Sequence, residues 1–348
     1  MSSNSKLIFV TGGTGFVGFH ILTQLLDKGY SVRAAARGPK VDILKKALSV
    51  NYSKNFEVVE VADVAAGDLS QYLKGVDGII HSAAPLPGRV DPETAFKISI
   101  EGSLHIIREA IKAKVPRVVA TSSIVTYPFP IGPFGVDDWN PITKEEAIAS
   151  GSPFHVYVAE KKYSDMAVVE FAESHPEIDI TLVGPPFNFG PFAPGFELLI
   201  SEPNLHSLST NESFYALLRR SYTDFLTLPG AIDVRDSARA HVVALESRPS
   251  SEVGRKRFAV CSPDESSYKV ALDIIAKERP ELKSRLADGS HAPEWPSYTL
   301  PVNWERLDYV LGLKADSFIP WKQTVLDAVD SLLRIEELWK KKGFQVPV

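Results

Sequence analysis

The chain of 348 residues has a single cysteine, Cys261, so no disulfide can form within it and no cluster of thiolates can hold a metal. Cys261 is expected to be a small buried apolar residue, and a reducing compartment fits it. Positive charge is not in excess either. The net charge is −5, which argues against the basic footprint of a nucleic-acid binder. No apolar run approaches the roughly 18 residues of a membrane span. The polar start, Met1 to Lys6, is followed by only a short apolar stretch, which reads as a core strand and not as a secretory signal. A cytoplasmic location is therefore expected. The sequons at 51–53 and 211–213 are read as chance, and the lysines at 340–342 as a solvated helix end. No repeat or low-complexity tract interrupts the chain.

What is present begins at residues 11–18, Thr11-Gly12-Gly13-Thr14-Gly15-Phe16-Val17-Gly18, directly after the apolar run Leu7-Ile8-Phe9-Val10. A strand that runs through a glycine-spaced turn into a helix is the arrangement that holds a dinucleotide pyrophosphate. Gly12 takes the tight turn, Gly15 leaves room for phosphate to approach the backbone, and Gly18 permits close packing of the helix. The helix start offers unpaired N–H groups and the positive end of its dipole. Phe16, Val17, Ile21, Leu22, Leu25 and Leu26 recur at helical spacing, and Gly29 closes the helix.

Strand-like runs follow at 7–10, 31–36, 56–61, 78–81, 117–121 and 179–183. Helical patterns lie between them at 16–28, 41–48, 92–113 and 155–174, with a further short one at 67–74. This alternation predicts a parallel sheet covered on both faces, an α/β doubly wound fold of Rossmann type. From Pro185 to Phe196 proline and aromatic residues become dense, and 188–231 and 262–322 look irregular. Between them, 231–236 leads into a helix at 237–246 and a strand at 257–260. The expected organisation is a nucleotide-binding domain, 1–187 plus 232–261, and a smaller discontinuous lobe, 188–231 plus 262–348, that carries the substrate site and a C-terminal helix.

Two further patterns carry chemistry. Tyr157-Val158-Ala159-Glu160-Lys161 places a phenol and an ammonium four residues apart, on one face of a helix. A nearby cation favours phenolate and makes the phenol usable in proton transfer. Thr121-Ser122-Ser123 follows the apolar strand Val118-Val119-Ala120, at the sheet edge where ligands bind.

With these residues in place the chain resembles the extended short-chain dehydrogenase/reductase family, in particular its dihydroflavonol-reductase-like branch with the fungal methylglyoxal and ketone reductases. The resemblance covers nearly the whole chain: TGGTGFVG at 11–18, VRAAAR at 32–37, HSAAP at 81–85, IEGS at 100–103 and RVVATSS at 117–123. It continues through DDWNPIT at 137–143, YVAEK at 157–161, VGPPFNFGP at 183–191 and IDVRDSARAHVVALE at 232–246. It implies Ser123 as the carbonyl-binding serine, Tyr157 as proton donor and Lys161 as the lysine on the nicotinamide ribose. It implies Gly12, Gly15 and Gly18 at the pyrophosphate, Asp63 near the adenine, His81, Ala83 and Ala84 along the cofactor, and Pro186 and Phe187 beside the nicotinamide amide. Thr14, Phe16, Val17, Val64 and Thr121 complete the expected cofactor contacts. Two positions depart from the wider pattern. Ser99 stands where many members place the asparagine of a proton relay. Tyr127 stands where plant flavonoid reductases carry a hydrogen-bonding asparagine, which argues against a flavonoid substrate.

The expected cofactor is NADPH. The second strand ends Ala34-Ala35-Ala36-Arg37-Gly38-Pro39-Lys40, with no carboxylate to accept a ribose hydroxyl, while Arg37 can grip a 2′-phosphate and Lys40 can assist. Arg33, earlier in the strand, is less suited to reach. Tyr127 and Phe192 are expected to line the substrate pocket, with Phe129, Phe187 and Phe196 as weaker candidates. No metal site is expected. The reading is thus an NADPH-dependent reductase of a ketone or aldehyde, acting as monomer or homodimer without nucleic-acid or membrane partners. Two alternatives use the same fold: a nucleotide-sugar epimerase or dehydratase, and a non-catalytic NADP-binding regulator. Ile124 and Val125 stand where a dehydratase is expected to carry an acidic pair. Joint retention of Ser123, Tyr157 and Lys161 argues against the regulator.

Overall fold

Apolar side chains fill both faces of a parallel sheet. Its strands are β1 (Leu7–Thr11), β2 (Ser31–Ala36), β3 (Phe56–Glu60), β4 (Gly78–His81), β5 (Arg117–Thr121) and β6 (Asp179–Gly184), closed at one edge by β9 (Lys256–Ala259). The computed structural model describes residues 5–83, 91–128, 132–226, 230–294 and 300–346. The seven strands run in the order β3-β2-β1-β4-β5-β6-β9, each pair parallel. The order reverses between β1 and β4, which opens a crevice beyond their carboxyl ends. A separate pair, β7 (Phe187–Phe189) and β8 (Ala231–Asp233), also runs parallel.

The helices are α1 (Phe16–Asp27), α2 (Lys40–Leu48), α3 (Pro92–Lys112), α4 (Lys144–Ala149), α5 (Pro153–Glu173) and α6 (Asn211–Leu217). They continue with α7 (Val234–Ala244), α8 (Ser250–Val253), α9 (Tyr268–Glu278), α10 (Trp304–Leu311) and α11 (Trp321–Lys341). Successive strand residues point to opposite faces. Ile8, Val10, Ile80, Val119 and Val183 pack with α1 and α7 in one core cluster, while Phe9, Ile79, Val118 and Leu182 pack with α3 and α5 in another. The first cluster continues without interruption into Phe214 of α6, Ile275 of α9 and Trp321 and Trp339 of α11. The irregular second half is therefore built onto the α1/α7 face of the sheet.

Helix starts follow their capping residues. Asp91 accepts the backbone N–H of Thr94 ahead of Pro92, and Ser152 accepts that of His155 ahead of Pro153. Asp233 caps the backbone N–H of Arg235, so α7 begins at Val234, three residues before the expected start at 237. The helix expected at 67–74 is a run of turns instead. The Asp68 carboxylate holds Ser70 through backbone and hydroxyl, and the Leu69 N–H goes to Glu109, while Leu69 and Leu73 fill the α3 face of the core. A single helical bond, from the Leu73 N–H to the Leu69 carbonyl at 3.0 Å, matches their four-residue spacing, but it is not continued into a helix.

Two buried histidines tie elements together. His20 bonds the Pro191 carbonyl through Nε2, at 2.9 Å. His241 donates from Nδ1 to the Ser237 carbonyl at 2.7 Å, which leaves Nε2 to accept the Thr121 hydroxyl at 2.8 Å. Burial pushes both imidazoles down to about 4. The folded protein therefore resists protons that the unfolded chain takes up below its ordinary histidine value. Stability is fully present above about pH 6.5 and is lost as pH falls toward 4. Asp236, raised to about 6 mainly by burial, acts in the opposite sense over part of this range. Between pH 7 and 5 each imidazole costs roughly 2 kcal/mol and Asp236 returns roughly 1. Chemical denaturation at the two pH values should give a clearly lower midpoint at pH 5. An equal or higher midpoint at pH 5 would contradict the assignment.

Candidate active site

The turn after β1 is shaped by what glycine leaves out. Gly12 has φ +76°, and a Cβ there would lie 2.6 Å from the Ala83 nitrogen and the Ser82 carbonyl carbon. The turn can therefore sit directly against the exit of β4. A Cβ on Gly18 would lie 2.1 Å from the Gly12 oxygen, so the first turn of α1 folds back onto the loop. The Gly15 N–H closes the turn onto the Gly12 carbonyl at 2.9 Å. Gly15 is the exposed N-cap of α1 and supplies no side-chain cap, so the N–H groups of the first helical turn face outward uncapped. Thr14 and Val17 are half-buried beside it. Phe16 turns inward against Phe192 and His20, and only its backbone remains at the turn. This is a cradle for an anion.

A cleft of about 520 Å³ opens at the carboxyl ends of the strands. It gathers Arg37 and Lys40 from the β2 exit, Asp63 and Val64 beyond β3, and His81 and Ala83 from the β4 exit. Thr121 from β5 and Tyr157 and Lys161 from α5 close its far side. Arg37 and Lys40 are exposed, and Arg37 makes no ion pair among the described residues. Arg33, by contrast, is spent within the fold, on Glu57 and the carbonyls of Tyr72 and Lys74. One Asp63 oxygen accepts the Ala65 N–H at 2.8 Å, which fixes the loop that lies against Gly102 of α3. His81 shares a hydrogen bond with the Thr11 hydroxyl at 2.8 Å. Burial, and then the charge of Lys161, hold its imidazole down to about 4, so the β4 exit is uncharged at neutral pH. Ala84 lies outside the described residues, as does Phe129.

Helix α5 is tied to the β5 exit at two successive turns. Lys161 donates to the Thr121 carbonyl at 2.9 Å. One turn further, the buried Asp165 accepts the Ser122 hydroxyl. Burial raises the Asp165 carboxyl, and the Lys161 ammonium and the Ser122 hydroxyl oppose that rise. Ser123 is the next residue. It caps a short 3₁₀ turn, Ile124–Thr126, that packs with Val158 of α5, and the ring of Tyr157 lies against the same cluster. Gly184 approaches so closely that a Cβ would lie 3.2 Å from the Ser123 carbonyl group. The Ile124 N–H bonds the Pro185 carbonyl at 3.1 Å, which brings the buried Pro186 and half-buried Phe187 past the serine. Ser123, Tyr157 and Lys161 thus share one framework; Tyr157 and Lys161 line the cleft, and Ser123 is buried two residues beyond Thr121.

The aromatic residues expected at the substrate wall divide. Tyr127 follows the 3₁₀ turn and is 1% exposed, with its ring on Phe134 at 4.8 Å between centroids. Its hydroxyl has no hydrogen-bond partner among the described residues, and burial pushes its phenol up. Phe192, expected in the pocket, is seated in the main core instead. It stacks on Phe196 at 5.3 Å and meets Phe16 edge-on, because the chain after β7 packs back onto α1. Phe196 belongs to the same stack. Three functional contacts were not anticipated. Asp165 continues the Tyr157–Lys161 face by one more turn, a signal present in the spacing. His241 on Thr121 and Arg257 on the loop after Ser123 come from distant elements and leave no local pattern.

Residues 8–260 match the model of the NAD dependent epimerase/dehydratase family. A ketoreductase of Aspergillus niger is 31% identical over 347 residues, covering 96% of this chain and 99% of its own. An NADPH-dependent methylglyoxal reductase of Saccharomyces cerevisiae is 28% identical over 352 residues, with coverage of 94% and 98%. The crystal structure of yeast methylglyoxal/isovaleraldehyde reductase complexed with NADPH is similar over 95% of this chain and 99% of that one, with a TM-score of 0.78 at 26% identity. The chain belongs to the NAD dependent epimerase/dehydratase family, among the extended short-chain dehydrogenases/reductases.

Proposed function

We propose that the chain is an NADPH-dependent reductase of ketones or aldehydes. The observation that carries this reading is the one cleft lined by Arg37 and Lys40 together with Tyr157 and Lys161, with Ser123 two residues beyond its Thr121 and the Gly12 turn packed against its Ala83. The cradle at Gly12–Gly18 and the uncapped start of α1 would hold the pyrophosphate. Arg37 would take the 2′-phosphate. Lys161, with one proton on Thr121, has two more to offer to ribose hydroxyls. When bound, the nicotinamide supplies the hydride. Ser123 and Tyr157 donate hydrogen bonds to the carbonyl oxygen as negative charge develops on it, and Tyr157 gives up its proton there. Segments 188–231 and 262–348 furnish the lobe that selects the substrate, while Tyr127, expected in the pocket wall, is buried against Phe134 and Arg257 instead. The epimerase reading is weaker on chemistry: Ile124 and Val125 follow Ser123 and put apolar groups where a dehydratase carries acids.

Consumption of NADPH against a panel of ketones and aldehydes tests the reading, and no turnover with any of them would refute it. Tyr157→Phe should reduce turnover by about 10²–10⁴ while leaving NADPH binding nearly intact. Turnover within a factor of about three of wild type would remove Tyr157 from the proton-transfer step. Arg37→Ala should weaken NADPH by roughly ten- to a hundredfold and NADH little, a gap that narrows at high salt. Equal use of NADH and NADPH by the wild-type protein would contradict the role of Arg37.

A further inference from the structure

A guanidinium is buried on the far side of the catalytic serine. Arg257 of β9 is 2% exposed and lies between two aromatic rings, 3.7 Å from the centroid of Tyr127 and 3.7 Å from that of Trp139. Among the described residues, all its side-chain hydrogen bonds go to one loop. Nη1 donates to the carbonyls of Asp138 at 2.8 Å and Val136 at 3.3 Å. Nη2 donates to the carbonyl of Thr126 at 3.0 Å and to its hydroxyl at 2.9 Å. The Thr126 hydroxyl in turn donates to the carbonyl of Ser123 at 2.9 Å. Asn140 closes the loop, from its backbone N–H to the Thr126 carbonyl at 2.8 Å and from its side chain to the Val125 carbonyl at 3.0 Å.

A buried cation is costly unless its surroundings satisfy it. Here the two rings accept its faces and the loop oxygens accept both terminal nitrogens, while Nε has no hydrogen-bond partner among the described residues. The loop that leaves Ser123 therefore folds around Arg257, and the planar fork sets the spacing between its two ends. The same cluster, with Tyr127 and Phe134, is the surface on which the Tyr157 ring rests. We propose that Arg257 is a positioning residue for the reaction: through the Thr126 hydroxyl it fixes Ser123, and through the stacked Tyr127 it supports the buried cluster on which the Tyr157 ring rests. The proposal rests on the reading of Ser123 and Tyr157 as the carbonyl-binding pair.

Two variants test it. Arg257→Lys keeps the charge but loses the fork and the flat stacking face. Thr126→Val keeps the volume and removes only the hydroxyl between Arg257 and Ser123. Each should lower kcat/KM for the carbonyl substrate by about tenfold, with NADPH affinity within about twofold of wild type. The double variant should lose little more than the worse single one, because both changes cut one path. Independent, fully additive losses would overturn the proposal. So would wild-type kinetics in either variant, or a loss of NADPH affinity in parallel with kcat/KM, the mark of general loosening. Thr126→Val, the milder change, carries the test alone where Arg257→Lys does not fold. Ser123→Ala, assayed beside them, separates the two levels: full turnover there refutes the underlying reading, and loss of turnover there with wild-type Thr126→Val and Arg257→Lys refutes only the positioning role.

Discussion

The bond from the Lys161 ammonium to the Thr121 carbonyl couples a strand exit to a helix face, and the geometry of the site follows from that coupling. Thr121 is the last residue of β5 and Ser123 stands two beyond it, so fixing the strand exit fixes the serine. Lys161 stands one helical turn beyond Tyr157, so the same bond fixes the phenol. The Ser122 hydroxyl on Asp165 repeats the attachment one turn later and removes rotation about the first. On the other side, His241 accepts the Thr121 hydroxyl, so α5 and α7, which cover opposite faces of the sheet, converge on one residue. Two residues 34 positions apart in the chain, Ser123 and Tyr157, are thereby held on one framework.

The cofactor end is governed by an opposite economy of side chains. Where α5 and β5 are bonded through side-chain groups, the glycine turn between β1 and α1 meets the β4 exit through bare backbone, with the Thr11 hydroxyl on His81 beside it. Any Cβ at Gly12 or Gly18 would collide with neighbouring backbone. Charge follows the same division. His81 and His241 are held neutral by burial near the reacting groups, while Arg37 and Lys40 stand exposed and free to meet an anion. The cleft thus carries Lys161 with Glu160 and Asp165 on its α5 side, and Arg37 and Lys40 with Asp63 at the β2 and β3 exits.

Much of this was legible in the sequence because it is local. The glycine turn, the Tyr157–Lys161 spacing and the Thr121–Ser123 strand end are each contained within a few residues, and the strand periodicity that orders them is equally short-ranged. The rest depends on partners far along the chain. Leu69 and Leu73 have helical spacing, yet the Glu109 carboxylate takes the Leu69 N–H and the segment turns instead. Phe192 sits in a stretch dense with aromatics, which suits a pocket wall and a core equally well. Its contacts with Phe16 and Phe196 decide for the core. Arg257 lies in a strand where alternation predicts only a side-chain direction, and nothing near it announces that the loop after Ser123, more than a hundred residues earlier, will fold around it.

In the proposed reaction a hydride passes from a bound nicotinamide onto a carbonyl carbon and Tyr157 protonates the oxygen. Its most direct measurement follows the hydrogen itself. NADPH carrying deuterium at the transferable C4 position, turned over with a reactive ketone, should give an alcohol with one deuterium on the carbinol carbon for each NADPH oxidised, in a single configuration. Oxidation of NADPH without deuterium on the carbinol carbon, or an alcohol labelled equally in both configurations, would contradict the account.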